Sequence, residues 1–87
     1  MKLIFAIVHD ADSDSVTQAL TSADFRVTRV ASTGGLLHRG MTTLLIGLEA
    51  EQVEAAIRIL HETCTPAAAG EKRATIFVIP VDRFEQI

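Results

Sequence analysis

Four stretches of the chain have the apolar patterns of β-strands. Residues 2–8 and 42–48 are nearly continuous apolar runs, which predicts central strands covered on both faces. Residues 25–32 mostly alternate between apolar and polar positions, as a half-exposed strand does. Residues 74–81 are again mainly apolar and end near a proline. The pattern therefore predicts four strands.

Two further stretches repeat apolar residues at helical spacing. Residues 13–23 carry apolar positions three or four apart, and residues 51–64 do the same with an acidic first turn, which the helix dipole favours. Carboxylates and a serine in residues 10–14 are candidate caps for the first helix. Residues 65–73, which contain a proline and a glycine, predict a short loop before the last strand.

The predicted element order is βαββαβ within one domain, residues 1–87. Two helices on one face of a four-stranded antiparallel sheet satisfy this order, so we predict an α+β, ferredoxin-like fold. One face of the sheet then has no helices. We expect that open face to be apolar, because not all of the following strand residues can point at the helices: Ile4, Leu44, Ile46, Ile76 and Val78.

Composition changes this picture in three ways. Hydrophobic residues make up 48% of the chain and its mean hydropathy is +0.31, a surplus that predicts an oligomer hiding apolar surface. The net charge of −3 argues against binding a nucleic-acid polymer, which needs a basic face. No apolar run is long enough for a membrane span, and the single cysteine is typical of a reducing cytoplasm.

The sequence offers no convincing catalytic or metal-binding set. His9, His38 and His61 have no metal-ligand spacing, and we expect His61 to be a solvated helix residue. Cys64 is expected to be a small buried apolar group. The aspartates near residue 12 lack the glycine and the distal glutamate of a calcium loop. These residues predict a protein without a cofactor that is not an enzyme.

The glycine pair in the predicted hairpin is the strongest candidate for binding. Thr33, Gly34 and Gly35 offer flexible backbone whose amides can face an anion. Arg26 and Thr28 are two residues apart on the preceding strand and so share a face. A guanidinium and a hydroxyl together suit a phosphate or the edge of a nucleobase. Both features also have a purely structural interpretation. The glycine pair could be an ordinary turn, and Arg26 and Thr28 could lie on a solvated strand face.

Several separated segments resemble the PII-like cyclic-di-AMP receptor family, a branch of the nitrogen regulatory protein P-II superfamily. The resemblance covers nearly the whole chain, in order, in residues 1–8 with Asp10, Asp12 and Ser13, residues 24–29, 31–37, 40–43, and 74–82 with Phe84 and Gln86. It implies a cytoplasmic homotrimer whose three sheets face inward, with a pocket for cyclic di-AMP at each subunit interface. It also implies a signalling protein that acts on a downstream protein partner.

Carried over by position, the resemblance implies ligand contacts from Arg26, Thr28, Gly34, Gly35, Leu36, Leu37, Met41, Gly47, Phe77 and Gln86. Typical members of the family have an aromatic residue and an asparagine where this chain has Leu36 and Met41, so a stacking surface and an adenine-edge partner are missing. They also have a long loop where this chain has residues 65–73.

These departures leave two alternatives to cyclic-di-AMP sensing open. One is a degenerate PII-like trimer that acts as a protein-interaction module and binds another adenine nucleotide or none. The other is a small isomerase or lyase that uses the cleft between subunits, for which the chain offers no plausible acid–base pair.

Overall fold

The structure is a computed structural model that describes residues 1–30 and 40–87. Its elements follow the predicted order. They are β1 (Lys2–His9), α1 (Asp10–Ser22), β2 (Arg26–Val30), β3 (Met41–Leu48), a 3-10 turn (Ala50–Gln52), α2 (Val53–Thr63) and β4 (Ala74–Pro80).

The four strands form one antiparallel sheet in the order β2-β3-β1-β4. The two apolar runs, β1 and β3, are the two central strands, and β2 and β4 lie at the edges. Side chains of these strands point alternately to the helices and to the open face, so their continuous apolar sequences place apolar residues on both faces of the sheet. The α+β, ferredoxin-like prediction is confirmed, down to the antiparallel sheet with two helices.

The core lies between the sheet and the helices. Ile4, Leu44 and Ile46 have no exposed surface, and they form one cluster with Val16 of α1 and Leu60 of α2. Alternate residues of β1 follow the same rule: its even-numbered apolar residues, from 4 to 8, are buried, and its odd-numbered residues are only partly covered. The helix-side face is therefore covered along the two central strands within a single chain, whereas Val78 at the β4 edge is 41% exposed.

The residues that we expected to divide between the two faces in fact share one. Ile4 pairs with Ile46 and with Val78, and the next even position of β1 pairs with Leu44 and Ile76. Directly paired residues of a sheet point to the same side, so all five lie on the helix side. The expectation was wrong, because the strand register places all five residues on the same face.

The open face is apolar all the same, but through other residues. The register places on it Leu3, Phe5, Ile7, Leu45, Phe77 and Ile79. Phe77 is 54% exposed and Ile79 is 40% exposed, so this side of the sheet remains uncovered in one chain.

The first helix begins three residues earlier than its apolar spacing predicted, and its aspartates do not cap it. His9 occupies the capping position without a side-chain hydrogen bond. Asp10 accepts a hydrogen bond from the Thr42 hydroxyl of β3. Asp12, which is 5% exposed, accepts from the amide (3.2 Å) and hydroxyl (2.6 Å) of Thr65. These carboxylates join α1 to its neighbours, a role that only the tertiary structure reveals.

The second helix starts later than predicted because a 3-10 turn precedes it. Glu49 and Gln52 form a reciprocal capping box at this turn, in which the Glu49 amide donates to the Gln52 side chain at 2.9 Å. Within residues 1–30 and 40–87, no helix combines the length and the apolar character needed to cross a membrane.

Candidate nucleotide-binding cavity

The sheet's open face carries a cavity. It has a volume of 640 Å³, within the range of about 300–1,000 Å³ that is typical of small-molecule sites. Its lining consists of Met1, Lys2, Leu3, Arg26, Thr28, Leu45, Gly47, Val81, Phe84 and Gln86. Four of the ten are residues that the sequence resemblance assigned to a ligand site, and they come from three separate parts of the chain.

Strand β2 supplies the two polar side chains that were predicted to act together. Arg26 pairs with Gly47 and Thr28 pairs with Leu45 on β3, so both project on the open face. Arg29, one position further on, projects on the other face, where its guanidinium contacts Asp14 of α1 at 2.7 Å. Because side chains alternate between the two faces of a strand, Arg29 contacts helix α1 and Arg26 lines the cavity.

Gly47 lines the cavity near the end of β3, a central strand. Glycine weakens a strand, so its presence there often marks a place where a ligand or another backbone approaches closely. Its backbone does not need a positive φ, and a Cβ added to it would meet only the Met1 methyl carbon, at 3.6 Å. The fold therefore does not require glycine at this position.

The segment after β4 closes one side of the cavity. The Val81 amide donates to the Met1 carbonyl at 3.1 Å, which holds the chain beside the start of β1. Arg83 and Glu85 form an ion pair with each other at 2.5 Å, and Phe84 and Gln86 line the cavity between and beyond them. The Phe84 side chain is 62% exposed.

The charge of the cavity is opposite to that of the chain. Lys2 and Arg26 are its charged lining residues, and none of the ten lining residues in the described part of the chain is acidic. The chain as a whole has a net charge of −3. A guanidinium forms strong, bidentate hydrogen bonds to phosphate, and Thr28 and Gln86 add neutral donors and acceptors. This set suits an anionic ligand that also presents polar edges.

Two predicted ligand residues lie away from this cavity in the single chain. Met41 pairs with His9, at the end of β3 opposite to Gly47. Six residues of strand separate them, or roughly 20 Å at the usual rise per residue. Phe77 pairs with Phe5 on the open face but does not line the cavity. The remaining four, Gly34, Gly35, Leu36 and Leu37, lie outside the described residues, as does Thr33 of the predicted hairpin.

A second cavity, of 310 Å³, lies between α2 and β4 and contains no predicted ligand residue. Cys64 and His61 are part of its lining. Burial raises the pKa of the Cys64 thiol, the nearby Asp12 carboxylate raises it further, and Arg73 opposes them. The thiol therefore stays protonated near neutral pH and is a poor nucleophile. Cys64 is buried and His61 exposed, as predicted.

Six lining residues of the larger cavity were not predicted to be part of the site: Met1, Lys2, Leu3, Leu45, Val81 and Phe84. Leu3 and Leu45 flank the predicted residues through strand register, which the sequence alone does not reveal. Phe84 carried a usable signal, because it lies two positions from Gln86 and belongs to the same tail motif. Within the described ranges, no three His, Cys, Asp or Glu side chains cluster as metal ligands would.

Comparison with known proteins identifies the family of this chain. The model of a family described as "Cyclic-di-AMP receptor" matches residues 1–69, which is most of the chain. The protein belongs to the cyclic-di-AMP receptor family. A receptor family of this kind comprises binding and signalling proteins, which agrees with the lack of a catalytic set in the sequence.

A solved structure extends the likeness beyond the family match. The chain is 32% identical to a functionally unknown protein from Pediococcus pentosaceus ATCC 25745, whose crystal structure superimposes with a TM-score of 0.78. The similarity covers 99% of this chain and 96% of the other. It therefore includes β4 and the segment with Phe84 and Gln86, which lie after the residues that the family model matches.

Proposed function

We propose that this member of the cyclic-di-AMP receptor family is a PII-like sensor that binds cyclic di-AMP in the open-face cavity. The observation that carries the proposal is the convergence of Arg26, Thr28, Gly47 and Gln86 on one cavity. In this proposal Arg26 contacts a phosphate, Thr28 and Gln86 contact polar edges, and Gly47 leaves room for the ligand.

The proposal includes a homotrimer with the ligand at the subunit interfaces. Phe77 and Ile79 leave apolar surface exposed on the open face, and contiguous surface of this kind is commonly buried by association. Met41 and Phe77 lie away from the cavity of their own chain, so a neighbouring copy would be needed to bring residues of this kind to it. A cytoplasmic setting and a downstream protein partner belong to the same proposal.

Calorimetric titration with cyclic di-AMP tests the proposal, with cyclic di-GMP as the competitor of similar charge. We expect saturable binding of cyclic di-AMP and about 10- to 100-fold weaker binding by Arg26→Ala, the loss expected for one charge-assisted hydrogen bond. Arg29→Ala is the matched control, because Arg29 lies on the same strand but on the opposite face. We expect this control to bind as the unaltered protein does.

Equal loss of affinity in the two arginine variants would contradict the assignment of the cavity. Absence of binding by any adenine nucleotide would contradict the proposed ligand and favour a protein-interaction module instead. The molar mass in solution, measured by light scattering with and without cyclic di-AMP, tests the trimer independently of affinity.

A further inference from the structure

Of the four phenylalanines, which all lie in the described residues, Phe84 is the one that lines the open-face cavity. Phe25 is buried, whereas the Phe84 side chain is 62% exposed and lines the cavity that holds Arg26. An apolar ring held at the edge of a partly polar cavity offers a face to a planar ligand. Aromatic rings in such positions stack on nucleobases without regard to their hydrogen-bonding pattern.

The local structure presents the ring to the cavity. The Val81–Met1 hydrogen bond anchors the start of the segment, and the Arg83–Glu85 ion pair joins the residues on either side of Phe84. Two residues further on, Gln86 lines the same cavity. A glutamine amide presents a donor and an acceptor together, which matches the adenine edge.

We propose that Phe84 is the base-stacking residue of this cavity. The inference rests on the proposed function, since it assumes that the ligand is a nucleotide. In this arrangement the ring of Phe84 contacts a base of the ligand, and the guanidinium of Arg26 contacts a phosphate.

The chain contains neither tryptophan nor tyrosine, so Phe84→Trp would introduce a single fluorophore at the proposed stack. We expect this variant to keep its affinity for cyclic di-AMP and to lose fluorescence on titration, because a stacked base quenches indole. Ala55→Trp, at an exposed position of α2, is the matched control and should show no change.

Replacing the ring separates stacking from general apolar packing. We expect Phe84→Ala to weaken binding about 5- to 150-fold, the effect of losing one base–aromatic stack. Phe84→Leu keeps much of the apolar surface but has no aromatic face, and it should be weakened nearly as much. Full affinity in either variant would overturn the inference, as would a change in molar mass of the unliganded Phe84→Ala protein.

The same variants distinguish failure of the inference from failure of the proposed ligand. If cyclic di-AMP binds the unaltered protein and Phe84→Ala equally well, the function stands and the stacking role is wrong. If cyclic di-AMP does not bind but AMP or ATP quenches Phe84→Trp, the stacking role stands and the ligand is wrong. If no adenine nucleotide binds, both are wrong.

Discussion

The two faces of the sheet are made from the same four strands, yet they differ in almost every physical respect. On the helix side, Ile4, Leu44 and Ile46 have no exposed surface. On the open side, the side chain of Phe77 is more than half exposed and a cavity of 640 Å³ lies beside β2. One face holds the fold together, and the other is available for binding.

The difference between the faces arises from the alternation of side chains along each strand. Alternation along a strand assigns neighbouring residues to different faces. Leu44 and Leu45 are adjacent and chemically identical, but the first lies in the core and the second lines the cavity. Core residues and cavity-lining residues are therefore interleaved along the strand.

The largest effect on the free energy of unfolding is expected from substitution of Leu44, in comparison with its neighbour Leu45. Leu44→Ala removes a fully buried side chain, and we expect it to lower the free energy of unfolding by about 2–5 kcal/mol. Leu45→Ala should cost clearly less and should act mainly on ligand binding or assembly. Guanidinium unfolding followed by circular dichroism measures both. Equal destabilisation of the two variants would remove the distinction between the faces.

The next largest effect is expected from the hydrogen bonds between Asp12 of α1 and Thr65, which follows α2. Asp12→Ala leaves the Thr65 amide and hydroxyl without their acceptor, and we expect a loss of about 1–3 kcal/mol in the free energy of unfolding. Asp14→Ala is the control on the same helix, because Asp14 is exposed. A loss as large in Asp14→Ala would show that the buried contact is not what matters.

A third prediction acts on the open face alone. Gly47→Ala adds a methyl group to the lining of the cavity, and overpacking of this kind is expected to weaken cyclic-di-AMP binding about 5- to 150-fold. The free energy of unfolding should stay the same or rise by about 0.5–1 kcal/mol, since alanine suits a strand better than glycine. Calorimetry and unfolding of the same sample measure the two effects.

Gly47→Val extends this test as a size series. Binding that falls with side-chain volume while the molar mass stays constant supports a ligand close to Gly47. Unchanged binding in both variants would show that no ligand approaches Gly47.

The smallest effect is expected from the exposed ion pair on the helix side. Arg29 and Asp14 lie 2.7 Å apart with side chains that are 47% and 87% exposed. Solvent screens such pairs, so Arg29→Ala should change the free energy of unfolding by no more than about 1 kcal/mol. Thermal unfolding at low and high salt checks this, and a larger loss would give the pair a structural role.

Much of the fold could be predicted from the sequence because its signals are local. The apolar runs of β1 and β3 identify central strands, and the helical spacing of residues 51–64 locates α2 to within two residues at its start. The lining of the open-face cavity could be predicted only in part. Arg26 and Thr28 share a face by spacing alone, whereas Gly47 and Gln86 entered through a family resemblance and only the fold brings them to the same cavity.

By itself, the sequence determined the order of the elements, the ferredoxin-like class and a short set of polar residues suited to an anion. Only the tertiary structure decided which apolar residues face the helices, because strand register depends on pairing between distant segments. It also placed the Phe84 segment beside the start of β1, through a hydrogen bond that joins opposite ends of the chain. Long-range contacts of this kind leave no periodic signal in a single sequence.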